Sequence, residues 1–218
     1  MNGKNAKKFE QYYKRGDVVR TYDSQREANK HRRDNREKEA KVYLKFLEKE
    51  KNDKILEIGC GSGYLTQYLG NITAIDTSTG LLEIAKKKCL DAKFLEASVL
   101  KLPFKDHEFD KATTHRVIGN FNEDEYRIAI REIGRVLKKD GIFVFDMGDP
   151  IYIRHLFRKT VSLVYKIIYS VTGFGKNEFY SLKKIGKILN SNGFKIEQIA
   201  YIKKRFGKGM ILKARKIN

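Results

Sequence analysis

Between residues 51 and 146, hydrophobic positions fall into short runs that alternate with amphipathic stretches. The runs "KILEIG", "NITAID", "AKFLEA", "EFDKATT" and "GIFVFDM" are typical of buried strands. Between them lie three stretches whose apolar positions have helical spacing, residues 63–69, 79–89 and 123–138. The last of these carries acids in its first turn and lysines at its end, as a helix favours. Steady alternation of strand and helix predicts an α/β fold with a Rossmann-like, doubly wound parallel sheet.

The pattern changes at both ends of the chain. Residues 24–50 lack Gly and Pro and end in apolar spacing, which predicts a long exposed helix that docks through its last turns. Residues 179–191 predict a helix, and "FKIEQIAYI" and "GMILKARK" predict a hairpin whose last strand runs antiparallel at one side of the sheet. We therefore expect a seven-stranded sheet.

Residues 151–175 interrupt the alternation with an apolar and aromatic stretch dotted with cations, which predicts a helix inserted after the fifth strand. The expected organisation is an N-terminal helical cap over residues 1–50 and a main domain over residues 51–218. The inserted lid would occupy residues 151–178 of that domain.

Composition narrows the class of protein. The 218 residues suit one folding unit, and Cys60 and Cys89 are too few for a disulfide framework or a metal site of their own. We interpret both as inert reduced thiols. No run is apolar enough to span a bilayer, and the basic start has no apolar segment behind it, so we expect a cytoplasmic protein without a secretory signal.

The charge is strongly basic and unevenly distributed. The formal net charge is +19, yet residues 51–150 hold 15 Lys or Arg against 16 Asp or Glu. Residues 151–218 hold 16 Lys or Arg against two acids, and residues 1–40 hold 12 against seven. A uniform compositional bias would have charged the middle too, so the asymmetry indicates an anionic partner that faces the two flanks.

The glycine-rich stretch "ILEIGCGSG" is the main candidate for chemistry. It follows a strand and precedes a helix, which places bare backbone N–H groups at the carboxyl end of the sheet, where open α/β sheets bind ligands. Asp76 ends the next strand, where an acid can accept hydrogen bonds from a ribose diol. Tyr64 stands where a dinucleotide fingerprint has its third glycine, and no Gly-Lys-Ser/Thr follows, which excludes a P-loop.

Five segments in order carry a family resemblance: "ILEIGCGSGYLTQYL", "AIDTSTGLLEIAKKK", "ASVLKLPFKDHEFDKATT", "IREIGRVLKKDGIFVF" and "LNSNGFKIEQ". Together they resemble the class I S-adenosylmethionine-dependent methyltransferases, most closely the type 11 group that includes quinone-biosynthesis C-methyltransferases. The resemblance runs from about Lys54 to Lys216. It implies S-adenosylmethionine as cofactor, S-adenosylhomocysteine as product and no metal.

The resemblance also implies site residues. The methionine part of the cofactor would lie on Glu57 and on the turn Gly59, Cys60, Gly61, Ser62 and Gly63, and the ribose on Asp76 beside Thr77. Leu81, Ser98 and Val99 would border the adenine, and Thr114 the methyl group. Members of the family often have Asp where this chain has Ser98, which places the adenine hydrogen bond in doubt.

The methyl acceptor would be held by the N-terminal segment and the insertion. Candidate substrate residues are Tyr13, Arg20, Tyr22 and Tyr152. His115 is the one candidate general base because it follows the fourth strand, close to the expected methyl group. A contact role or a loop histidine is the alternative interpretation.

Three functions remain open at this point. The first is an enzyme that methylates a small-molecule or lipid-like acceptor. The insertion would then be a lid, or a helix that places this cytoplasmic protein peripherally at an anionic membrane surface. The second is an RNA methyltransferase, for tRNA or rRNA, whose basic flanks hold phosphates. The third is a non-catalytic S-adenosylmethionine-binding protein. Neither the charge nor the motifs indicate an oligomeric state.

Overall fold

The computed structural model describes residues 4–28, 30–148, 181–204 and 207–218. Within them, one sheet contains the strands β1 (Ile55–Ile58), β2 (Thr73–Asp76), β3 (Lys93–Glu96), β4 (Phe109–Thr114), β5 (Leu137–Gly148), β6 (Phe194–Lys204) and β7 (Gly207–Lys216). Their order is β3-β2-β1-β4-β5-β7-β6. The first five strands pair in parallel, and β7 pairs antiparallel with both β5 and β6. The predicted sheet and terminal hairpin are confirmed.

Helices cover both faces of this sheet. The described helices are α1 (Lys4–Lys14), α2 (Gly16–Glu27), α3 (Lys30–Leu47), α4 (Thr66–Leu69), α5 (Thr79–Lys88), α6 (Glu123–Val136) and α7 (Leu182–Asn190). The expected helix over 123–138 is α6, and its start is fixed by a capping box in which Asn122 and Glu125 bond each other's backbone N–H groups. The doubly wound arrangement is therefore confirmed.

Two hydrophobic clusters hold the layers together. One combines Leu56 and Phe143 of the sheet with Tyr126 of α6 and Ile185 of α7. The other combines sheet residues of the opposite parity, such as Ile55 and Val144, with side chains of α3, α4 and α5, namely Tyr43, Leu47, Leu69 and Leu82. Because successive strand residues point to opposite faces, the near-continuous apolar runs of the sequence serve both clusters.

The N-terminal segment differs from expectation. The predicted helix over 24–50 is wrong in its start, because α2 ends at Glu27 and α3 begins at Lys30. No Gly or Pro marks this break, so tertiary contacts decide it. Asp23 of α2 accepts a hydrogen bond from Ser62 Oγ at 2.5 Å and forms an ion pair with Lys88. These contacts direct α2 onto the glycine turn, whereas α3 packs against the sheet.

Helices α1 and α2 lie over the carboxyl ends of the central strands. The backbone N–H of Ala6 donates to Glu125 at 2.9 Å, and Ser78 Oγ donates to the carbonyl oxygen of Tyr13 at 2.7 Å. The predicted lid at 151–178 lies outside the described residues. Among the helices that the structure does describe, none has the length and apolar character needed to cross a bilayer.

Candidate functional site

A cavity of about 390 Å³ lies beneath α1 and α2, at the carboxyl ends of β1, β2 and β4. The strand order reverses direction between β1 and β4, which is the switch point where doubly wound sheets bind ligands. Its walls are largely aromatic and apolar, with a few charged groups between them. The apolar and aromatic wall includes Phe9, Tyr13, Tyr22, Leu81, Val99, Val117 and Phe121.

The glycine turn forms the floor of this cavity. Gly59 and Gly61 have φ angles of +71° and +55°, in the left-handed region that favours glycine. A Cβ at Gly59 would lie 2.2 Å from Val117 Cγ2, and one at Gly61 would lie 2.6 Å from the Tyr22 hydroxyl oxygen. The turn therefore requires glycine both for its dihedral angles and for the close approach of side chains from other elements.

Asp76 lies at the end of β2 and supports the same turn. Its Oδ2 accepts the backbone N–H of Gly61 at 2.8 Å, and its Oδ1 accepts that of Ser78 at 2.9 Å. Burial raises the pKa of Asp76 above its usual value, although these backbone hydrogen bonds oppose the shift. Each carboxylate oxygen has a second lone pair, so Asp76 can also accept hydrogen bonds from a diol in the cavity.

Glu57 is the second buried carboxyl group of the cavity wall. It is 2% exposed, and Thr66 Oγ1 donates to its Oε2 at 2.7 Å. Burial raises the pKa of Glu57 to about 7, and the hydrogen bond from Thr66 opposes that shift. Glu57 therefore changes charge close to neutral pH in the cofactor-free protein, and a cation in the cavity would favour its ionised form.

Ser98 borders the cavity at the other side of Asp76, and α1 supplies a carboxylate there. Ser98 Oγ donates to Glu10 Oε1 at 3.1 Å, and both residues line the cavity. The chain thus has an acid beside the position where the resembling family often has Asp. The acid comes from a residue 88 positions earlier, which no local pattern in the sequence reveals.

His115 lines the cavity and belongs to a network with Glu39 and Arg116. Its Nε2 lies 2.9 Å from Oε2 of Glu39, which also accepts a hydrogen bond from Arg116 Nη2 at 2.7 Å. Glu39 comes from α3 and its side chain is 3% exposed. Burial lowers the pKa of Arg116, but the Glu39 carboxylate outweighs that effect and raises it.

Tyr43 anchors this network to the sheet. Its hydroxyl donates to the carbonyl oxygen of Thr114 at 2.8 Å and lies 3.1 Å from Asp146 Oδ1. Asp146 also accepts the backbone N–H of Arg116 at 2.6 Å. Burial raises the pKa of Tyr43 well above its usual value, so the phenol keeps its proton and holds the end of β4 in place.

The structure brings most of the sequence-predicted residues together. The ones that line the cavity are Glu57, Gly59, Cys60, Ser62, Asp76, Thr77, Leu81, Ser98, Val99, His115, Tyr13 and Tyr22. Gly61 and Gly63 shape the turn without lining the cavity, and Thr114 is fully buried behind it. Arg20 is exposed outside the lining, and Tyr152 lies outside the described residues. Sequence reasoning missed the charged residues Glu10, Arg26, Arg36 and Arg116 of the cavity wall, and Glu39, which bonds His115 and Arg116.

Comparisons with known proteins agree with this geometry. Residues 56–145 match the family described as a methyltransferase domain. An uncharacterised protein of Methanocaldococcus jannaschii is 30% identical over 177 residues, which are 71% of this chain and 69% of that protein. Magnesium protoporphyrin IX methyltransferase from Synechocystis, solved with bound S-adenosylhomocysteine, has a TM-score of 0.75 at 18% identity. The superposition covers 97% of this chain and 99% of that one. The chain belongs to the class I S-adenosylmethionine-dependent methyltransferases, in the type 11 group.

Within that class, demethylmenaquinone methyltransferase of Staphylococcus aureus is a further relative. It is 30% identical over 144 residues, which are 61% of this chain and 58% of that enzyme. The chain thus aligns with less than two thirds of that relative's length.

The chain is an enzyme whose cofactor is S-adenosylmethionine. The described residues fit this cofactor. The glycine turn lets a ligand contact the backbone, and the acceptor oxygens of Asp76 suit a ribose diol. The buried carboxyl group of Glu57 suits an ammonium group. The cavity volume falls within the range of roughly 300–1,000 Å³ that is usual for ligand pockets. Within the described part of the chain, no three His, Cys, Asp or Glu side chains converge as a metal site.

Proposed function

We propose that this enzyme methylates a small-molecule or lipid-like acceptor that enters the cavity beneath α1 and α2. The observation that carries the proposal is the enclosure of the cavity. Side chains of both N-terminal helices line it, and Tyr13 and Glu10 are bonded to the sheet side through Ser78 and Ser98. An acceptor that fits under this cap is small and largely apolar. The proposal treats residues 1–50 as a cap on the domain over 51–218.

The cofactor would be held by residues from three strand ends. Asp76 would accept the ribose hydroxyls, Glu57 would face the methionine ammonium group, and Glu10 beside Ser98 would accept a hydrogen bond from the adenine amine. Thr77, Leu81 and Val99 would pack around the base. When bound, the cofactor supplies a sulfonium methyl group, which is a good electrophile.

The task left to the protein is alignment, exclusion of water and removal of a proton from the acceptor. His115 is our candidate for the last role. The Glu39 carboxylate accepts hydrogen bonds, so His115 Nε2 donates to it and the neutral ring keeps a lone pair on Nδ1. A proton taken by Nδ1 would give an imidazolium that Glu39 stabilises, in the way a carboxylate supports histidine in other acid–base sites.

Charge and kinship support a small or lipid-like acceptor over RNA. One relative is named for demethylmenaquinone, and one structural neighbour is named for magnesium protoporphyrin IX. In the described part of the basic last third, several cations have partners within the fold. Lys213 pairs with Glu48 and Glu197, and Lys216 donates to the carbonyl oxygen of Leu137.

RNA is the second candidate, because residues 151–218 still hold 16 cations against two acids. The same excess suits an anionic membrane surface that delivers a lipid-like acceptor. We favour the membrane surface, since the wall of the cavity is apolar and aromatic rather than a solvated groove.

Incubation of the enzyme with methyl-labelled S-adenosylmethionine and a fractionated cell extract tests the proposal. We expect label in the organic extract or the low-mass fraction, and suppression of that label by excess S-adenosylhomocysteine. Label that enters RNA, together with RNA binding that weakens steeply with salt, would replace the proposal with the second candidate. Co-sedimentation with anionic vesicles but not with bulk RNA is the expected binding result.

A further inference from the structure

Arg36 is a buried cation with an unsatisfied donor in the wall of the cavity. Only 4% of the residue is exposed, and its Nη1 is buried without a hydrogen-bond partner among the residues that the structure describes. The nearest acid is Glu27, whose Oε1 lies 3.9 Å away on a side chain that is 55% exposed. This distance exceeds a hydrogen bond, so Glu27 balances the charge only weakly.

Burial of such a group is unfavourable unless something pairs with it. A buried donor without a partner is destabilising, and more so when it is charged. Burial lowers the pKa of Arg36, and Arg116 lowers it further, yet a guanidinium stays charged at any physiological pH. An anionic ligand in the cavity would remove this penalty.

The two other arginines of the cavity are already engaged. Arg116 is paired with the carboxylate of Glu39. Arg26 lies 3.4 Å over the ring centre of Tyr22, and its Nη1 donates to the carbonyl oxygen of the same residue at 3.2 Å. Among the arginines of the described cavity wall, Arg36 is therefore the one that most clearly lacks an anionic partner.

The position of Arg36 identifies the anion. Its guanidinium lies 3.6 Å over the ring centre of Tyr64, the first residue after the glycine turn. The Glu57 carboxyl group belongs to the same cavity. Asp76 already accepts the backbone N–H of Gly61, so Arg36 and Glu57 remain as a positive and a negative group of the cavity wall, which together match the zwitterion of an α-amino acid.

We infer that Arg36 binds the α-carboxylate of the methionine part of S-adenosylmethionine, with Glu57 facing its α-ammonium group. The inference rests on the cofactor site described under the proposed function, but it is independent of the methyl acceptor. The planar fork of arginine suits bidentate recognition of a carboxylate. Stacking on Tyr64 fixes the plane of that fork.

Calorimetric titration with two sulfonium ligands tests this inference. S-adenosylmethionine and its decarboxylated analogue differ by the carboxylate alone. Arg36→Met should weaken binding of the first by about 30-fold or more and change binding of the analogue by less than about threefold. Arg36→Lys should fall between, because it keeps the charge without the fork. Arg33→Met, an exposed change on the same helix, is the matched control and should behave like the wild type.

The outcomes separate the alternatives. Equal losses for both ligands in Arg36→Met, or unchanged affinity for S-adenosylmethionine, would overturn the inference; the latter result would leave an acidic acceptor as the partner of Arg36. Thermal unfolding of each variant shows whether it is folded. If Arg36→Met is not folded, the inference is decided by Arg36→Lys, from its loss of affinity for S-adenosylmethionine relative to its loss for the decarboxylated analogue. Failure of the proposed acceptor would change none of these affinities.

Discussion

The buried carboxyl group of Glu57 makes the stability of the cofactor-free enzyme depend on pH in an unusual direction. Its pKa is about 7 in the folded protein because of burial, whereas the ordinary pKa of an exposed glutamate is 4.5. Between these two values the folded state holds a proton that the unfolded state has released. The free energy of unfolding must therefore fall as the pH rises through this window.

The size of the effect follows from the two pKa values. A single group with these values changes the free energy of unfolding by about 2.5 kcal/mol between about pH 5 and about pH 8. Glu57→Gln removes the titration and keeps an acceptor for Thr66. We expect the variant to gain about 2.5 kcal/mol relative to the wild type across that range, because the wild type alone loses stability.

Urea denaturation of cofactor-free protein, followed by circular dichroism at a series of pH values, measures the difference. The exposed change Glu37→Gln on α3 is the control and should run parallel to the wild type. Other acids of the fold with lowered pKa values, such as Asp23 and Glu132, act below this window and cancel in the comparison. Parallel curves for the wild type and Glu57→Gln would refute the reasoning, since they would mean that Glu57 is ionised throughout.

Three further predictions concern the turn, the base and the adenine contact. Gly61→Ala should lower the free energy of unfolding in urea by about 1–3 kcal/mol, because its φ is +55° and its Cβ would lie 2.6 Å from a tyrosine oxygen. His115→Gln should lower kcat by about 100-fold, and Glu39→Gln should lower it by about tenfold, because an amide supports the protonated ring less well than a carboxylate. Glu10→Ala should weaken S-adenosylhomocysteine binding in calorimetry by about tenfold, and Ser98→Asp should restore it.

Each of these predictions has an opposing result. Wild-type stability in Gly61→Ala would show that the turn tolerates a side chain. Unchanged turnover of His115→Gln with intact cofactor binding would remove the base role. Unchanged kcat in Glu39→Gln would reduce Glu39 to a packing residue. Equal effects of Glu10→Ala on S-adenosylhomocysteine and on its inosine analogue, which lacks the adenine amine, would exclude the adenine contact.

Much of the central sheet could be predicted because its determinants are local. Buried parallel strands have continuous apolar runs in the sequence, and Asn122 and Glu125 mark the start of α6. The glycine turn and Asp76 are equally readable, since three residues with positive φ in five positions require a particular residue type. These features predict a cofactor site without reference to the rest of the chain.

The remainder of the site depends on contacts between distant segments. Glu39 meets His115 across 76 positions, and Glu10 meets Ser98 across 88. In the sequence both acids lie among many charges of helical flanks, where an exposed face is the ordinary interpretation. The break between α2 and α3 has the same origin, because Asp23 fixes α2 on Ser62 without any Gly or Pro at the break.

The location of the cofactor is tested most directly by titrating S-adenosylhomocysteine into the wild type and into Asp76→Ala. The account predicts one molecule bound per wild-type chain and at least about 100-fold weaker binding in the variant, because two charge-assisted hydrogen bonds to the ribose are lost. Circular dichroism of both proteins shows that the fold is retained. Equal affinities in the two proteins, or no binding by the folded wild type, would contradict the assignment of this cavity as the cofactor site.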